Sequence, residues 1–324
     1  MKWVVQIEEW PLRVPFVISR RSCTTTEVLK LTLERGGFVG HGEAAGINYK
    51  GESAASLNYE IDQFLGSCSE HIERQALLDQ LPAGGARNAL DCALWDLEAK
   101  EAGKTVFDLT GSAETSVQTA FSLSLDTPEK MAAAAATASQ QPILKMKLGG
   151  GAPVACVEAV RQARPDAEII VDANEALTLG DLKTVAPQLA KSGVALIEQP
   201  LPRDADDALL GYDSPVPLCA DESCMTAADL PRLKGRYEFI NIKLDKAGGL
   251  TSALDLANAA EKKGFGLMIG CMLGTSLAMA PAMAIAPRCR FVDVDGPLLL
   301  GRDREFGLKY HSGSVQPPSP ELWG

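Results

Sequence analysis

From about residue 117 to residue 295, apolar runs with the length of β-strands alternate with amphipathic segments of helical spacing. This regular alternation predicts parallel strands joined by helices, because a parallel connection needs a long crossover. Eight such strands favour a closed barrel. We expect strands at 117–124, 143–148, 168–172, 194–198, 216–221, 238–243, 266–271 and 290–295, and helices that include 128–140, 153–163, 180–192, 226–234 and 250–264.

The first third of the chain has a different pattern, typical of a separate α+β domain. The pattern predicts a strand at 1–10, a hairpin of 27–34 and 38–43 turned at Gly36-Gly37, a helix at 53–65, and a second helix from Gly85 to Gly103. After about residue 300 the sequence becomes Pro-rich and irregular. We therefore expect an α+β domain at 1–114, a barrel at 115–300, and a C-terminal segment at 301–324 that returns to the first domain.

The composition limits the partners that this chain can have. It has 324 residues, 46% of them hydrophobic, and a net charge of -11, which argues against nucleic acid or an anionic membrane surface as partner. The N-terminus becomes acidic too early for a signal peptide, and glycines and Pro281 divide the uncharged run from Phe265 to Ala286 into a strand, a loop and a helix. The eight cysteines form no C-x-x-C pair, as expected of a reduced cytoplasmic protein.

Acidic residues stand where three successive strands end: Asp172, Glu198 and Asp221. The functional site of a barrel is expected at this end of its strands. One aspartate there is most often a helix cap or a solvated turn residue. Three on neighbouring strands, about 4.8 Å apart, repel one another unless a cation lies among them. Because none of the three histidines has a partner at metal-ligand spacing, the sequence predicts one Mg²⁺ per subunit, held by these oxygen ligands.

Two lysines, Lys145 and Lys147, share one face of the strand at 143–148, and the other face is apolar. An edge strand with a solvated lysine face would explain this pattern. In a barrel, however, both lysines would lie beside the predicted metal. They would then face Lys243, which ends the strand after the last carboxylate.

A lysine near a second ammonium, a divalent cation and an apolar wall should have a lowered pKa. Lys147 and Lys243 would then act as bases on opposite faces of one carbon, which inverts a stereocentre. Lys145 would help to neutralise the charge of the enediolate. For Lys243 the alternative interpretation is a structural salt bridge to Asp221 or Glu222.

Several short motifs resemble the enolase superfamily, in its muconate-lactonizing subgroup. These are Lys-Met-Lys at 145–147, Asp172-Ala-Asn, Glu198-Gln-Pro, Ala220-Asp-Glu-Ser, Asn241-Ile-Lys-Leu-Asp-Lys-Ala-Gly-Gly and the helix that begins Ala86-Arg-Asn-Ala-Leu-Asp. The resemblance implies an α/β fold, a (β/α)7β modified TIM barrel with an N-terminal α+β capping domain. It also implies a lysine base with Mg²⁺, which is the established chemistry of that superfamily.

Within the subgroup, the chain is most similar to the dipeptide epimerases of the L-Ala-D/L-Glu type, because Asp293-Val-Asp295 precedes Gly296-Pro297. In that family the aspartate pair binds the α-ammonium of a dipeptide, and two carboxylates on one strand face do attract a cation. A turn with solvated aspartates is the alternative. The resemblance further implies that Mg²⁺ binds the terminal carboxylate, that peptidoglycan peptides are recycled, and that the substrate contacts Ser122 and the segment with Cys271 and Leu273.

Two departures from the family pattern leave the substrate side chain open. Cys23 stands where glutamate-specific members carry a basic residue, although Arg20 or Arg21 could replace it. Ser122 stands where threonine is common and keeps the hydroxyl. At the epimerised position we expect an acidic side chain as the first candidate, and small apolar or aromatic side chains as the next ones.

Two other functions compete with the epimerase. Muconate cycloisomerase or o-succinylbenzoate synthase would use the same metal and lysines, but the aspartate pair would oppose their anionic substrates. A non-catalytic barrel would be expected to have lost a metal ligand or a base, and all are present. The oligomeric state stays open, and a homo-oligomer is compatible with the sequence.

Overall fold

An antiparallel sheet covered by helices forms the N-terminal part of the protein. The computed structural model describes residues 1–19, 21–68, 72–149 and 152–324. Strands β1 and β2 pair along their length, and β3 pairs with β2. The elements are β1 (Lys2–Ile18), β2 (Arg21–Arg35), β3 (Phe38–Ala44), α1 (Ala54–Ser67), α2 (Arg74–Gln80), α3 (Gly85–Ala102) and α4 (Val106–Thr110).

Helix α3 packs unusually close to this sheet, because two glycines of β3 leave room for it. A Cβ atom on Gly40 would lie 2.2 Å from the carbonyl oxygen of Ala93, and one on Gly42 would lie 2.0 Å from that of Ala89. Gly103 then ends the helix in a left-handed conformation, at φ 61°. Leucines of β2 and of helices α1 and α3 fill the core between the layers.

The first hairpin is longer than the sequence pattern predicts. Ile18 and residues 21–26, to which the sequence pattern assigns no strand, belong to the ends of β1 and β2, where Ile18 pairs with Arg21 and Phe16 with Cys23. A register shift lies between Pro11 and Phe16. Both strands are largely exposed here, so the apolar alternation that marks a half-buried strand is missing.

Eight parallel strands form the second sheet, in the chain order β5 to β12. The backbone N–H of Ala120 donates to the carbonyl of Val292 at 2.7 Å and so joins its two ends. This closed α/β barrel under an α+β cap confirms the predicted fold class. Its elements are β5 (Phe121–Leu123), α5 (Pro128–Thr137), β6 (Ile143–Lys147), α6 (Pro153–Ala163), β7 (Glu168–Asp172), α7 (Leu179–Lys191), β8 (Val194–Glu198), β9 (Leu218–Ala220), α8 (Leu230–Leu233), β10 (Phe239–Ile242), α9 (Leu244–Ala247), α10 (Leu250–Lys262), β11 (Gly266–Ile269), α11 (Ser276–Met279), β12 (Phe291–Val292) and α12 (Gly296–Leu299).

Two predicted barrel elements are divided in the structure. The strand expected at 117–124 is split into β5 and a short β4 (Val117–Gln118), which pairs with β14 (Ser314–Val315) instead of the barrel. The helix expected at 226–234 is a 3-10 turn at 227–229 followed by α8. Pro231 lies at the second position of α8 and lacks an N–H, so it suits a helix start rather than an interior.

The C-terminal segment contacts both parts of the molecule. Strands β13 (Tyr310–His311) and β14 (Ser314–Val315) form a small sheet with β4. Farther on, the indole N–H of Trp323 donates to the carbonyl of Cys92 in α3 at 3.0 Å. The expected segment boundaries at 114 and 300 stay a prediction. Among the described residues, no helix is both long and apolar enough to cross a bilayer.

Inward-facing side chains divide the barrel interior into two ends. At the N-terminal end of the strands they are apolar and form one buried cluster, which we call the floor cluster: Ala120, Ile143, Ile170, Leu196, Cys219, Met268 and Phe291. Two or four residues farther along the same strands the inward positions are polar or charged. This opposite end, which we call the mouth, carries Ser122, Lys145, Lys147, Asp172, Glu198, Asp221, Asn241, Lys243 and Asp293.

Candidate active site

Lys145 lies at the centre of the charged side chains in the mouth and is fully buried. Its Nζ lies 2.6 Å from Asp293 Oδ2, 2.8 Å from Glu198 Oε2 and 3.5 Å from Asp172 Oδ2. Burial lowers the pKa of Lys145, but these three carboxylates raise it by more, so it lies well above its ordinary value. Lys145 is therefore a fixed positive charge, and β6 is an inner strand between β5 and β7 rather than an edge strand.

Lys147 and Lys243 each contact a different carboxylate. Lys147 Nζ donates to Asp172 Oδ2 at 2.6 Å, and Lys243 Nζ donates to Asp221 Oδ2 at 2.7 Å. The second contact is the salt bridge that the sequence left as an alternative. Burial lowers the pKa of Lys243, but Asp221 and Glu198 raise it more, so the net shift is upward. The lowered pKa predicted for Lys243 beside a divalent cation stays a prediction. The upward shift comes from the pairing with Asp221, because a carboxylate stabilises the ammonium form.

The three predicted metal ligands are buried at the ends of adjacent strands. Asp172 and Glu198 are register partners, and Asp221 directly follows β9. They are not gathered around one point: in the described parts of the chain, no three acidic, His or Cys side chains are close enough to hold a metal ion. Each carboxylate is instead turned toward a lysine, a pairing that strand-end spacing alone does not reveal.

The donor set nevertheless fits a hard divalent cation. All three ligands are carboxylates, the type of ligand that Mg²⁺ prefers. Burial raises the pKa of Glu198, and the nearby Asp172 raises it further despite the lysine beside it. The local negative charge is therefore only partly balanced, and a cation held by Asp172, Glu198 and Asp221 would balance it.

Strained backbone and side-chain amides orient these carboxylates. Asn174 (φ 44°), two residues after Asp172, and Gln199 (φ 33°), directly after Glu198, adopt left-handed conformations. The Asn174 N–H donates to Asp172 Oδ1 at 2.9 Å, and Gln199 Oε1 accepts from the Asp221 N–H at 2.9 Å. Asn241 Nδ2 donates to Glu198 Oε1 at 2.7 Å. The carboxylates of Asp172 and Glu198 thus each have a fixed second contact, and Gln199 holds the backbone of Asp221.

Lys246 is a functional candidate that the sequence reasoning missed. It is 1% exposed, and its Nζ donates to Asp221 Oδ1 at 2.6 Å, to the Asp221 carbonyl and to the Asn241 carbonyl at 2.9 Å. Together with Lys243 it holds the pKa of Asp221 well below its ordinary value, although burial opposes this shift. The available signal was a second lysine three residues after Lys243, since residues three apart share a helix face.

The predicted aspartate pair lies beside Lys145. Asp293 Oδ2 accepts from that lysine, whereas its Oδ1 is buried and has no hydrogen-bond donor among the residues described. Asp295 Oδ2 accepts from the Ser122 N–H at 2.6 Å. Burial, and next to it the charge of Asp293, raise the pKa of Asp295 to about 7. These carboxylates are buried and are not the solvated turn residues of the alternative interpretation.

A cavity of about 350 Å³ opens over the mouth. It is lined by Lys147, Asp221, Lys243, Cys271 and Leu273, together with Arg21, Cys23, Phe16 and Tyr49 from the cap. Cys23 is half-buried, and its thiol points to the carbonyl of Phe16 at 3.7 Å. The predicted contact at Arg20 lies outside the described residues. Larger cavities exist elsewhere, but Lys147 and Lys243 both line this one.

Comparison with known proteins agrees with this geometry. Residues 129–320 match the enolase C-terminal domain-like family, and residues 1–111 match the N-terminal domain of the mandelate racemase / muconate lactonizing enzyme family. The L-Ala-D/L-Glu epimerase of Escherichia coli is 45% identical over 95% of this chain and 97% of its own length. The N-acetyl-D-glutamate racemase of a Pseudoalteromonas species is 46% identical over 80% of this chain and 82% of its own length.

Solved structures give the same relationship. An enolase family member from Agrobacterium tumefaciens, with bound sodium and L-Ala-L-Glu, has a TM-score of 0.95 and 42% identity and covers 99% of both chains. The dipeptide epimerase of Enterococcus faecalis, with Mg and L-Leu-L-Tyr, has a TM-score of 0.92 and 28% identity over 99% of this chain and 98% of its own. The chain therefore belongs to the dipeptide epimerases of the enolase superfamily.

Proposed function

We propose that this protein epimerises the C-terminal residue of a dipeptide with two lysine bases, Lys147 and Lys243, and one Mg²⁺. The observation that carries the proposal is that both lysines open into the same cavity from different strands of the barrel. A substrate carbon between them has one amine on each face. Removal of its proton by one lysine and return of a proton by the other inverts the centre.

Lys145 would stabilise the negative charge that develops on the substrate during this reaction. Deprotonation next to a carboxylate places a second negative charge on its oxygens, and a fixed cation stabilises that charge. Because three carboxylates hold Lys145 protonated, it cannot serve as the base and remains positive throughout the reaction. Its role is therefore to stabilise the enediolate.

Asp172, Glu198 and Asp221 would hold the metal. Mg²⁺ bound there would supply positive charge for the substrate carboxylate and would draw carboxylate oxygens away from Lys147 and Lys243, which lowers the cost of their neutral amine forms. The structure of the Enterococcus faecalis relative, which holds Mg and a dipeptide, supports this assignment.

Asp293 and Asp295 are proposed to bind the α-ammonium of the dipeptide. The support is the buried Oδ1 of Asp293, an acceptor without a donor among the described residues. An ammonium group brings three donors and would satisfy it. The backbone of Ser122 holds Asp295 in place beside it.

The rim of the cavity suggests an acidic substrate side chain. Arg21 lines it, so a side-chain carboxylate that points toward the cap meets a guanidinium. Cys23 and Leu273 line the same cavity and make an apolar contribution. We therefore propose L-Ala-L-Glu or L-Ala-D-Glu as the first substrates, with apolar dipeptides behind them.

A second candidate is racemisation of an N-acylated glutamate, and one observation favours it. The pKa of Asp295 is raised to about 7, so near neutral pH this carboxyl is partly protonated and tolerates an uncharged acyl group. The similarity to an N-acetyl-D-glutamate racemase is as high as that to the Escherichia coli epimerase. The muconate cycloisomerase and o-succinylbenzoate synthase alternatives have no comparable support here, because an anionic substrate body would face both aspartates.

The cellular role follows from this chemistry as a proposal. A dipeptide of L-Ala and Glu is the kind released from peptidoglycan, so we infer a place in its recycling in the cytoplasm. The net charge of -11 is consistent with a small-molecule partner rather than nucleic acid, and assembly into a homo-oligomer remains part of the proposal.

The experiment that tests the function is proton NMR of L-Ala-L-Glu with the protein and Mg²⁺ in D₂O. We expect the glutamate α-proton signal to disappear while the L,D diastereomer accumulates. Parallel samples with L-Ala-L-Val and with N-acetyl-L-glutamate measure the side-chain and the ammonium preference. Turnover of N-acetylglutamate alone would favour the second candidate, and no exchange of any of the three would contradict both.

A further inference from the structure

Arg87 joins the capping domain to the loop that follows Lys243. Arg87 is a buried residue of helix α3. Its Nη2 donates to the carbonyl of Ala247 at 2.7 Å, and its Nε donates to that of Gly248 at 3.0 Å. These carbonyls stand at the end of helix α9, where no intrahelical donor is available. A guanidinium there satisfies both oxygens and complements the helix dipole.

Two further residues of α3, each one helical turn beyond the previous one, contact the same barrel segment around residue 251. Asp91 accepts from the Thr251 N–H at 2.9 Å and from its hydroxyl at 2.6 Å. Trp95 Nε1 donates to the same hydroxyl at 2.9 Å. Because positions 87, 91 and 95 lie on one face of a helix, they form a continuous stripe along residues 247–251.

The contact also requires the two glycines after Lys246. Gly248 has φ +76°, and a Cβ there would lie 2.4 Å from Arg87 Nε. A Cβ on Gly249, at φ +112°, would lie 2.4 Å from the Cβ of Asp91. A side chain at Gly248 would displace the Arg87 guanidinium, and one at Gly249 would meet Asp91 close to the α3 backbone.

Helix α9 links the Arg87 contacts to Lys243, the proposed base. Lys243 is the N-cap residue of α9, and Lys246 on the same turn donates a hydrogen bond to the carboxylate of Asp221. A single helical turn is not stable alone, so its conformation depends on contacts at its ends. Arg87 supplies one of these contacts. Lys147 is itself a residue of β6, which pairs with β5 and β7, whereas Lys243 lies just past the end of β10 and depends on β10 and on α9.

We propose that Arg87 is a positioning residue for Lys243, by which the capping domain aligns one of the two bases and not the other. The inference rests on the proposed two-base function. It predicts an asymmetric defect: loss of the Arg87 contacts slows proton transfer on the Lys243 face of the substrate, while transfer on the Lys147 face stays intact. A purely structural role would slow both faces together.

The test uses Arg87→Lys, which keeps the charge but loses the two-nitrogen contact, and Gly248→Ala, which disturbs the same contact from the barrel side. Ser252→Ala is the matched control, because Ser252 Oγ lies 3.3 Å from Arg87 Nη2 and its loss leaves both carbonyl contacts in place. Deuterium exchange is measured separately from L-Ala-L-Glu and L-Ala-D-Glu with Mg²⁺. Lys243→Ala shows which epimer depends on Lys243.

We expect Arg87→Lys and Gly248→Ala to lower kcat for exchange from the Lys243-dependent epimer about tenfold, since small misplacements of a base have effects of that order. In these two variants, KM and the exchange rate from the other epimer should stay within about twofold of the native values. In Ser252→Ala, the exchange rates from both epimers should stay within the same range. Equal losses from both epimers, or no loss in either variant, would overturn the positioning role. If the native protein exchanges neither epimer, the proposed function fails and this inference fails with it.

Discussion

The two ends of the barrel use the same strands for opposite purposes. Strand β8 places Leu196 in the floor cluster and Glu198 in the mouth, two residues apart, and β7 does the same with Ile170 and Asp172. At the floor, apolar side chains exclude water and pack closely. At the mouth, charges are buried in pairs, although the cost of desolvating them rivals the attraction between them.

This difference separates stability from function along a single strand. Burial of an apolar side chain stabilises a fold wherever the packing is complete. Buried ion pairs are weak evidence for stability, and apolar replacements of such pairs are often neutral or stabilising. Charges buried together with strained residues such as Asn174 and Gln199 therefore indicate a site kept for chemistry.

The largest effect should come from the mouth. Lys147→Ala and Lys243→Ala should each lower epimerisation at least about a thousandfold, within the range that general acid-base groups supply. Each variant should still exchange the α-proton of one epimer, and the two variants should retain opposite epimers. The measurement is NMR exchange in D₂O. Lys191→Ala, at an exposed lysine, is the control, and native epimerisation by either base variant would refute the two-base assignment.

The floor should show the reverse behaviour. Leu196→Ala removes a fully buried side chain and should lower the free energy of unfolding by about 2–5 kcal/mol. At temperatures where the variant is folded, kcat/KM should stay within about threefold of the native value. Urea unfolding and steady-state kinetics measure the two quantities. Leu210→Ala, at a residue that is 65% exposed, should change stability by less than about 0.5 kcal/mol.

A floor variant that lost activity in proportion to the mouth variants would contradict this separation. It would mean that packing at the floor sets the geometry of the mouth, and that the two ends are one cooperative unit.

The pH dependence of stability should also originate in the mouth. The pKa of Asp295 is raised to about 7 from 3.8, so its contribution to stability is fully present below about pH 4 and is lost as pH rises through about 7. Relative to Asp295→Asn, the native protein should lose on the order of 1–3 kcal/mol between pH 5 and pH 8. Thermal unfolding at both pH values measures the change, and a constant difference in Tm would show that Asp295 is ionised throughout.

Much of this contrast was predictable from the sequence. Period-two alternation placed Lys145, Lys147 and the carboxylates on the inner face of their strands, and the βα alternation indicated the barrel. The sequence left the pairing of Lys243 with Asp221 as an alternative, but it did not predict the contacts of Lys145 and Lys147 with carboxylates, because these depend on side-chain positions far apart in the chain. The upward pKa shift of Lys243 follows from its pairing with Asp221.

The contacts of the cap were harder to predict for a related reason. The end of the first hairpin has only exposed and half-buried side chains, so no apolar alternation marks its strands. Helix α9 has one turn, too few residues for a periodic pattern, and Lys246 was therefore overlooked. In both cases the conformation depends on tertiary contacts rather than on local preference.

The smallest effect should lie at the exposed rim of the mouth, at Arg21. An exposed ion pair contributes about 0.2–1 kcal/mol, so Arg21→Met should raise KM for L-Ala-L-Glu about two- to fivefold. KM for L-Ala-L-Val should stay unchanged, because its side chain offers no partner to the guanidinium. The rise should shrink at 0.5 M salt, since exposed charges are screened. Steady-state kinetics measures this, with Arg13→Met, at an exposed arginine outside the cavity lining, as control. Equal changes for both dipeptides would show that the rim shapes the cavity rather than selects charge.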